Sequence, residues 1–453
     1  MNQGKYVFAQ IIDFLPRRVF DRIVQKHNGN KHIRTFTCWN QMLCMVFGQL
    51  TNRDSLRDLI VALDAHKAKS YHLGLGSNVT RPTLARANIR RDYKLYEEFA
   101  FHLIDYARRV CVCSDFEVKV DGNIYAFDST TIDLCLSVFW WAEFRKAKGG
   151  IKMHTLYDVK TRIPSFVYIT PASVNDVNAM DQIPYEQGSY YIFDRGYNDF
   201  ERLYRIHKLE AYFVLRAKDN LKFNRMYSNK AVKQAGVKCD QIGVFVVSKS
   251  YSRYPEKLRR IKYYDSETDV EFVFLTNNFK LTASEIAILY KNRWQVELFF
   301  KWIKQHLKVK SFWGHTPNAV KTQLYCAIIT YCLVAIVGKE LKIERTTYEI
   351  LQILGISLLD KTPVKELLTN NDYKNVKNYI INNCHSVSFN ETVVFYYDKF
   401  FTFKDSPINK QGTDISTRYK ARCTMKKLIL PFMNLDLIYF FPILVGDNKN
   451  HVI

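Results

Sequence analysis

The stretch YKNRWQVELFFKWIK, residues 290–304, carries Tyr290, Arg293, Glu297 and Lys304 at offsets of 0, 3, 7 and 14. At about 100° per residue, these offsets predict a narrow strip along one face of a single helix. A carboxylate set among a phenol, a guanidinium and an amine suits a site that holds a metal ion and a phosphate together. The alternative is an ordinary amphipathic helix with aromatic residues packed on one face and solvated charges on the other.

The charge balance favours an anionic partner. The 453 residues include 66 Lys and Arg against 44 Asp and Glu, which gives a formal net charge of +22. Nucleic acid is the commonest partner of so basic a chain, and a merely basic soluble protein is the alternative. A hydrophobic content of 47% is typical of a globular protein, and the length predicts about three domains.

Neither a disulfide framework nor a membrane role is predicted. The ten cysteines are scattered without zinc-binding spacing, which favours a reduced, cytoplasmic environment. The N-terminus lacks a basic segment followed by an apolar one, so no signal peptide is expected. The apolar run Leu324–Val337 is shorter than the roughly 20 residues that span a bilayer, and it predicts a buried helix.

Residues 1 to about 115 are predicted to be helical and to bind DNA. In TRPTLARANIRRDYKLYEEF, Thr80 is placed to cap a helix that follows a Gly-containing turn. Arg86, Arg90 and Lys94 would then lie at i, i+4 and i+8 on one face. Two helices around a turn, with a basic second helix, resemble a helix-turn-helix. The alternative is an amphipathic helix whose basic face is only solvated.

The pattern changes to short strands from about residue 120. Five runs are rich in β-branched and aromatic residues: NIYAFDSTT, IKMHTLYDV, PSFVYITPA, SYYIFDRGY and AYFVLRAK. Short helices are predicted in NDVNAMDQI, before the fourth strand, and in NDFERLYRIHK, after it. This order predicts an α/β fold with a ribonuclease H-like core, that is, a mixed sheet flanked by helices. Residues 219–279 predict a β-rich insertion, and helical pattern returns at Thr282.

Two aspartates follow strand-like runs. Asp128 ends IYAFD and Asp194 ends YYIFD, and both are predicted to project from strand ends. Each alone is a common turn residue. With Glu297 as a third ligand, they would supply the hard oxygens that Mg²⁺ or Mn²⁺ prefers. Two such ions support phosphodiester displacement.

FDST, FDRGY and Y-x2-R-x3-E-x6-K, in this order, resemble the signature of DDE transposases of the insertion-sequence-4 family. The resemblance covers about residues 10–350. It implies a ribonuclease H-like domain whose Asp128, Asp194 and Glu297 form a metal-binding triad. The spacing of 297 − 194 = 103 residues fits the β-rich insertion that this family carries before its glutamate helix.

The same resemblance implies roles for the other motif residues. Tyr290, Arg293 and Lys304 would contact the terminal phosphates and the flipped base of a hairpin intermediate. Phe272 stands near the position where some relatives stack that base on a Trp. Further matches with less defined roles are Arg216, here assigned to DNA binding, and Lys152, His154 and Asp176. For His154 a packing or hydrogen-bonding role is favoured over metal ligation.

Three regions are therefore predicted: a helical DNA-binding domain (1–115), a catalytic domain (116–345) and a C-terminal helical region with a tail (346–453). The predicted function is cut-and-paste transposition by a homodimer on double-stranded DNA, in the bacterial cytoplasm at the nucleoid. A metal-dependent nuclease without strand transfer and an inactive transposase-derived DNA-binding protein are the alternatives.

Overall fold

The computed structural model describes residues 4–76, 79–112, 116–145 and 148–369, and the predicted tail from Asn370 lies outside the described residues. The strands are β1 Ile124–Leu134, β2 Glu143–Arg145, β3 Lys148–Asp158, β4 Ile163–Pro171, β5 Tyr190–Phe193, β6 Tyr212–Arg216, β7 Phe223–Ser228, β8 Val237–Phe245, β9 Leu258–Asp265 and β10 Val270–Thr276. The helices are α1 Val7–Ile12, α2 Arg17–Lys26, α3 Cys38–Leu50, α4 Leu56–Ala65, α5 Arg81–Arg90, α6 Lys94–Val110, α7 Phe200–Lys208, α8 Ser248–Arg253, α9 Ala283–Lys291, α10 Trp294–His306, α11 Pro317–Glu340, α12 Thr347–Ser357 and α13 Val364–Leu368.

The first part of the chain is helical, as predicted, but its basic residues are arranged differently. Thr80 caps α5 by accepting a hydrogen bond from the Thr83 amide, as expected. The helix ends at Arg90, Arg91 is extended, and Lys94 begins α6. The prediction that Lys94 continues the face of Arg86 and Arg90 was therefore wrong. The connection from α4 to α5, residues 66–80, also exceeds the three or four residues of a helix-turn-helix.

The central sheet has the strand order of a ribonuclease H-like core. Its first five long strands lie in the order β4-β3-β1-β5-β6. The pairs β4–β3 and β3–β1 are antiparallel, whereas β1–β5 and β5–β6 are parallel. Parallel neighbours need a crossover, which the segment containing α7 provides between β5 and β6. The predicted fold class is confirmed.

The β-rich insertion continues this sheet. β10 pairs antiparallel with β6, and β9, β8 and β7 follow in that order. One predicted strand, IGVFVVSKS, was too long, because β8 ends at Phe245 and α8 begins at Ser248. The predicted helix NDVNAMDQI is a 3₁₀ helix, Asp176–Gln182. The domain limits near 115 and 345 stay predictions.

Asp128 lies inside a strand and not at its end, which corrects the prediction. β1 pairs with β5 only as far as Phe127, opposite Phe193, whereas its pairing with β3 runs on from Asp128 to Leu134. The Ser-Thr-Thr that follows Asp128 is therefore a strand segment, since β3 supplies partners for its backbone. Asp194 does follow the end of β5, as predicted.

The helix predicted over residues 290–304 is two helices. α9 ends at Lys291 and α10 begins at Trp294, although Asn292 and Arg293 keep right-handed helical dihedrals. The Asn292 side chain donates to the carbonyl of Ile288 at 2.9 Å and accepts from Gln295 at 2.8 Å. Such local side-chain bonds compete with the helical backbone pattern, and this explains the tight turn.

α11 is the central helix of the helical layer. It packs against α3, α5, α6 and α12. The helix extends beyond the predicted apolar run at both ends, so α11 as a whole is long and apolar enough to cross a membrane by length and composition. However, 89% of its most apolar window is buried inside the protein, as predicted for a core helix. Polar residues extend it beyond the apolar run: Gln323, for example, donates to the carbonyls of Lys308 and Ser311.

Candidate active site

Asp128 and Asp194 are neighbours because of strand register. Each directly follows the last pair of the β1–β5 ladder, Phe127 and Phe193. Adjacent strands lie about 4.8 Å apart, so two residues in equivalent positions of parallel strands bring their backbones together. The buried aromatic pair beneath them, with ring centroids 6.1 Å apart, fixes this end of the sheet. Two of the three predicted carboxylates therefore share one edge.

Glu297 reaches the same place through Arg293. The guanidinium donates to Oδ2 of Asp128 at 2.9 Å and to Oε1 of Glu297 at 2.5 Å. The side chains are 16% exposed for Arg293, 22% for Asp128 and 33% for Glu297, so these ion pairs are partly desolvated. A helix residue and a strand residue are thus joined by one planar cation.

The electrostatics of Asp128 reflect this crowding. Burial raises the pKa of Asp128 to about 6, and the nearby charges of Glu297 and Asp194 add to the rise. Two groups lower the pKa of Asp128. They are the Ser129 amide, which donates to Oδ1 at 2.8 Å, and the Arg293 guanidinium. Burial would lower the pKa of Arg293, but Tyr290 and the two carboxylates raise it overall. The site is a cluster of acids held together by a charged guanidinium.

Tyr290 connects the helices to Asp194. Its hydroxyl lies 3.4 Å from Oδ1 of Asp194, and its ring packs on Phe274 with centroids 4.7 Å apart. Burial raises the pKa of Tyr290, which keeps its hydroxyl a donor at neutral pH. Phe272 contacts the same ring at 5.9 Å and lies beneath the Arg216 guanidinium at 5.0 Å. Arg216 is therefore placed beside Tyr290.

Lys304 joins the end of α10 to β1. Its amine donates to the carbonyl of Thr131 at 2.8 Å. Burial, and secondarily the charge of Lys310, lower the pKa of Lys304. The structure therefore brings Tyr290, Arg293, Glu297 and Lys304 to one side of the sheet edge, in spite of the break at Asn292.

A basic groove continues from Asp194. A cavity of about 500 Å³ is lined by Arg195, Gly196, Lys218, Asp219 and Asn220. Asn198 braces its two walls by donating to the carbonyls of Arg195 at 2.8 Å and Arg216 at 3.0 Å. Arg195 and Lys218 are exposed, and within the described ranges no ion pair neutralises either cation. Neither cation was among the predicted site residues, although Arg195 lies within FDRGY and Lys218 ends AYFVLRAK.

Arg86 and Arg90, which were predicted to bind DNA, lie on α5 and not on the elements that carry the three carboxylates. Arg86 and Arg90 are exposed on α5, and Arg86 bonds the carbonyl of Pro82 in its own helix. In the part of the chain that the structure describes, no hydrogen bond or ion pair joins them to the three carboxylates. Trp294, which sequence alone could have assigned to packing, is instead 59% exposed beside Arg293.

The donor set fits a divalent cation. As arranged, no three His, Cys, Asp or Glu side chains of the described residues stand at the spacing of one metal ion. Asp128 and Glu297 instead share the Arg293 guanidinium, whose Nε is buried without a hydrogen-bond partner. Carboxylate oxygens around a cation are the environment that Mg²⁺ and Mn²⁺ prefer. Asp128, Asp194 and Glu297 could hold such an ion once the guanidinium withdraws.

Comparisons with known proteins agree with this geometry. The transposase DDE domain matches residues 120–333, and a domain of unknown function, DUF4372, matches residues 3–76. The putative transposase y4zB of Sinorhizobium fredii is 38% identical over 278 residues, which cover 60% of this chain and 75% of that protein. The probable transposase for insertion sequence element IS5377 of Geobacillus stearothermophilus is 33% identical, over 46% of this chain and 54% of that protein.

A solved piggyBac transposase synaptic complex with hairpin DNA aligns at 11% identity, covering 87% of this chain and 89% of that chain with a TM-score of 0.38. That score is too low to support an argument about the fold.

The ribonuclease H-like sheet and the match to the transposase DDE domain place the chain in the class of DDE enzymes. Asp128, Asp194 and Glu297 are the candidates for its three acids. The chain belongs to the DDE transposases, as its identity to y4zB over three quarters of that protein shows. It is an enzyme that acts on DNA, of a family that uses divalent metal ions.

Proposed function

We propose that this transposase cuts its element from donor DNA and joins it to a target. The observation that carries the proposal is the convergence of three acids from separate elements: Arg293 joins Asp128 to Glu297, and Asp194 is a charged neighbour of Asp128. Hydrolysis would free a 3′-hydroxyl at the element end. Its attack on the opposite strand would form a hairpin and release the flanking strand, and a second hydrolysis would open the hairpin. The regenerated 3′-hydroxyl would then attack a target phosphodiester and displace a target 3′-hydroxyl. No covalent enzyme intermediate is needed, since positioning and charge carry the chemistry.

In this proposal the three carboxylates hold Mg²⁺ or Mn²⁺, with two ions per site. Metal ions so bound activate the attacking oxygen and stabilise the leaving oxygen of phosphodiester displacement. Burial is the main cause of the raised pKa of Asp128, and the charges of Glu297 and Asp194, which add to the rise, would also attract a cation. The withdrawn Arg293 guanidinium would bind a non-bridging phosphate oxygen in place of the Asp128 carboxylate.

The neighbouring cations would hold the DNA backbone. Tyr290 lies beside Asp194, Arg216 lies beside Tyr290, and Lys304 lies beyond Thr131, so phosphates on both sides of the cleaved bond have partners. Exposed Trp294 offers a flat surface for an unstacked base, which suits a hairpin intermediate. Arg195 and Lys218 would extend the same backbone contacts along the groove next to Asp194.

The wider assembly follows from the reaction. Both element ends must be held together, so a homodimer on double-stranded DNA with terminal inverted repeats is proposed. Arg86 and Arg90 of α5, with Lys94 at the start of α6, would bind the element ends. We assign the protein to the insertion-sequence-4 group on its ordered motifs, and to the cytoplasm at the nucleoid, where its DNA substrate lies.

The test is a reaction with DNA that carries the inverted repeats flanking the coding region, in Mg²⁺, with a supercoiled target. The proposal predicts cleavage at the repeat boundary and covalent joining of the released end to the target. Cleavage without joined product would assign the protein to the nucleases instead. Binding without cleavage in either Mg²⁺ or Mn²⁺ would assign it to inactive DNA-binding proteins.

A further inference from the structure

A second polar cluster lies directly beside Asp128, on the other side of its backbone. Ser129 Oγ donates to Oδ1 of Asp176 at 2.6 Å. The amine of Lys152 lies 3.2 Å from the same oxygen and donates to the carbonyl of Val174 at 2.9 Å. One carboxylate oxygen thus joins β1, β3 and the 3₁₀ helix that begins at Asp176.

Two members of the cluster are shielded from water, whereas the Asp176 side chain is 38% exposed. Lys152 is 8% exposed and His154 is fully buried. His154 bonds Thr170 across the β3–β4 pair at 2.9 Å and places its other ring nitrogen 3.8 Å from Asp176. Burying an amine is costly unless a carboxylate and further hydrogen bonds compensate it. Asp176 supplies that compensation, so its charge is required where it stands.

This cluster determines how Asp128 presents its carboxylate. The Ser129 amide donates to Oδ1 of Asp128 at 2.8 Å, whereas Oδ2 faces Arg293 at 2.9 Å. The side chain of Ser129, tied to Asp176, fixes the peptide whose N–H holds Oδ1. Asp128 and Asp176 also both act as charged neighbours of the buried Tyr197. Asp128 and Asp176 are therefore connected through Ser129.

We propose that Asp176, acting through Ser129 and anchored by Lys152, is a positioning residue that fixes the Asp128 carboxylate for metal binding. The inference rests on the proposed function, because it assigns Asp128 as a ligand. Outer partners of metal ligands commonly change metal affinity by about 10- to 100-fold when they are removed. Asp176→Asn keeps the size of the side chain but loses the charge that pairs with Lys152. Ser129→Ala removes only the hydrogen bond between β1 and Asp176 and leaves the pair of Asp176 with Lys152 in place.

The experiment measures two quantities: the Mg²⁺ concentration for half-maximal cleavage of end-bearing DNA, and the rise in melting temperature caused by Ca²⁺ without DNA. Asp176→Asn is expected to raise the Mg²⁺ requirement about tenfold and to shrink the Ca²⁺ shift. Ser129→Ala should change both in the same direction, and DNA affinity without metal should stay at the wild-type value.

The matched control is Asp181→Asn in the same 3₁₀ helix, where Asp181 pairs with Arg202 and Arg205 at the surface. This control should keep the wild-type Mg²⁺ requirement. A wild-type requirement in both Asp176→Asn and Ser129→Ala, or an equal change in Asp181→Asn, would overturn the inference. If the wild-type protein cleaves nothing, the proposed function fails, and the Ca²⁺ shift still decides whether Asp176 affects cation binding at Asp128.

Discussion

Arg293 and Asp128 are 165 residues apart in the chain, yet Nη1 of the first lies 2.9 Å from Oδ2 of the second. The guanidinium lies between two of the three acids, Asp128 and Glu297. This relationship joins the turn between α9 and α10 to the middle of β1, and it holds the site together without DNA. Any divalent ion that uses both Asp128 and Glu297 must compete with Arg293.

Removing that guanidinium should make the protein more dependent on metal. Arg293→Met leaves partly buried carboxylates without a counter-ion, so the metal-free protein should lose about 2 kcal/mol or more of unfolding free energy. Ca²⁺ should then raise its melting temperature by more than it raises that of the wild type, because no guanidinium has to be displaced. Differential scanning fluorimetry with and without Ca²⁺ measures both effects.

Lys301→Met is the matched control, since Lys301 is exposed on the same helix. It should behave as the wild type with and without Ca²⁺. Equal Ca²⁺ shifts in the wild type and in Arg293→Met would show that the guanidinium does not stand in the cation site.

His154 predicts how stability depends on pH. Burial lowers its pKa in the folded protein to about 4, below the value of about 6.5 for a solvated imidazole. Between these values the unfolded chain binds a proton that the folded chain does not, so stability falls as the pH drops from about 6.5 to 4, by about 3 kcal/mol from this residue. His154→Gln should lose less stability over that interval in urea unfolding. In His154→Gln, a pH dependence as steep as that of the wild type would contradict a buried neutral imidazole. His72→Gln, at an exposed histidine, is the control and should keep the wild-type pH dependence.

The break between α5 and α6 separates basic residues into two groups. Arg86→Ala with Arg90→Ala removes two exposed charges of α5, and the slope of log affinity against log salt should fall by about 2 for end-bearing DNA. Lys94→Ala should change the slope less, because Lys94 lies on the next helix. Fluorescence anisotropy across a salt series measures the slopes. An unchanged slope in the Arg86→Ala/Arg90→Ala variant would contradict the binding of element ends by α5.

Trp294 should act on unpaired bases and not on duplex backbone. Trp294→Ala is expected to weaken binding to an element end with an unpaired terminal base by about 1–3 kcal/mol, whereas Trp294→Phe should retain most of that affinity. Fluorescence anisotropy in Ca²⁺, with DNA that has paired or unpaired ends, measures the two affinities and so distinguishes base stacking from backbone binding. An equal loss on both ends would assign Trp294 to general packing on DNA.

Much of the fold could be predicted because its strands and helices have distinct periodicities. The five core strands and the two aspartate motifs were found in order, since each strand is a short run rich in β-branched and aromatic residues. The position of Asp128 within β1 could not be predicted, because the extra length depends on partners in β3 that are distant in sequence. The same holds for Asn292, whose side-chain bonds compete with an otherwise helical pattern.

The site was predictable to a similar extent. The motif spacing indicated which side chains share a location, but not that Arg293 would bridge two of the acids. Lys152 and Asp176 matched the family signature without a role, because their pairing exists only across β3 and the following 3₁₀ helix. Arg195 and Lys218 form a groove only when the ends of β5 and β6 are adjacent.

The most direct test of the central claim is the rate of strand cleavage by Asp128→Asn, Asp194→Asn and Glu297→Gln on end-bearing DNA in Mg²⁺. Each change removes one charge at nearly constant size, so folding and metal-free DNA binding should persist. Glu201→Gln, at an exposed acid of α7 outside the groove, is the control and should cleave at close to the wild-type rate. The account predicts losses of about a hundredfold or more for all three variants. A wild-type rate in any one of them would contradict the assignment of Asp128, Asp194 and Glu297 to one catalytic site.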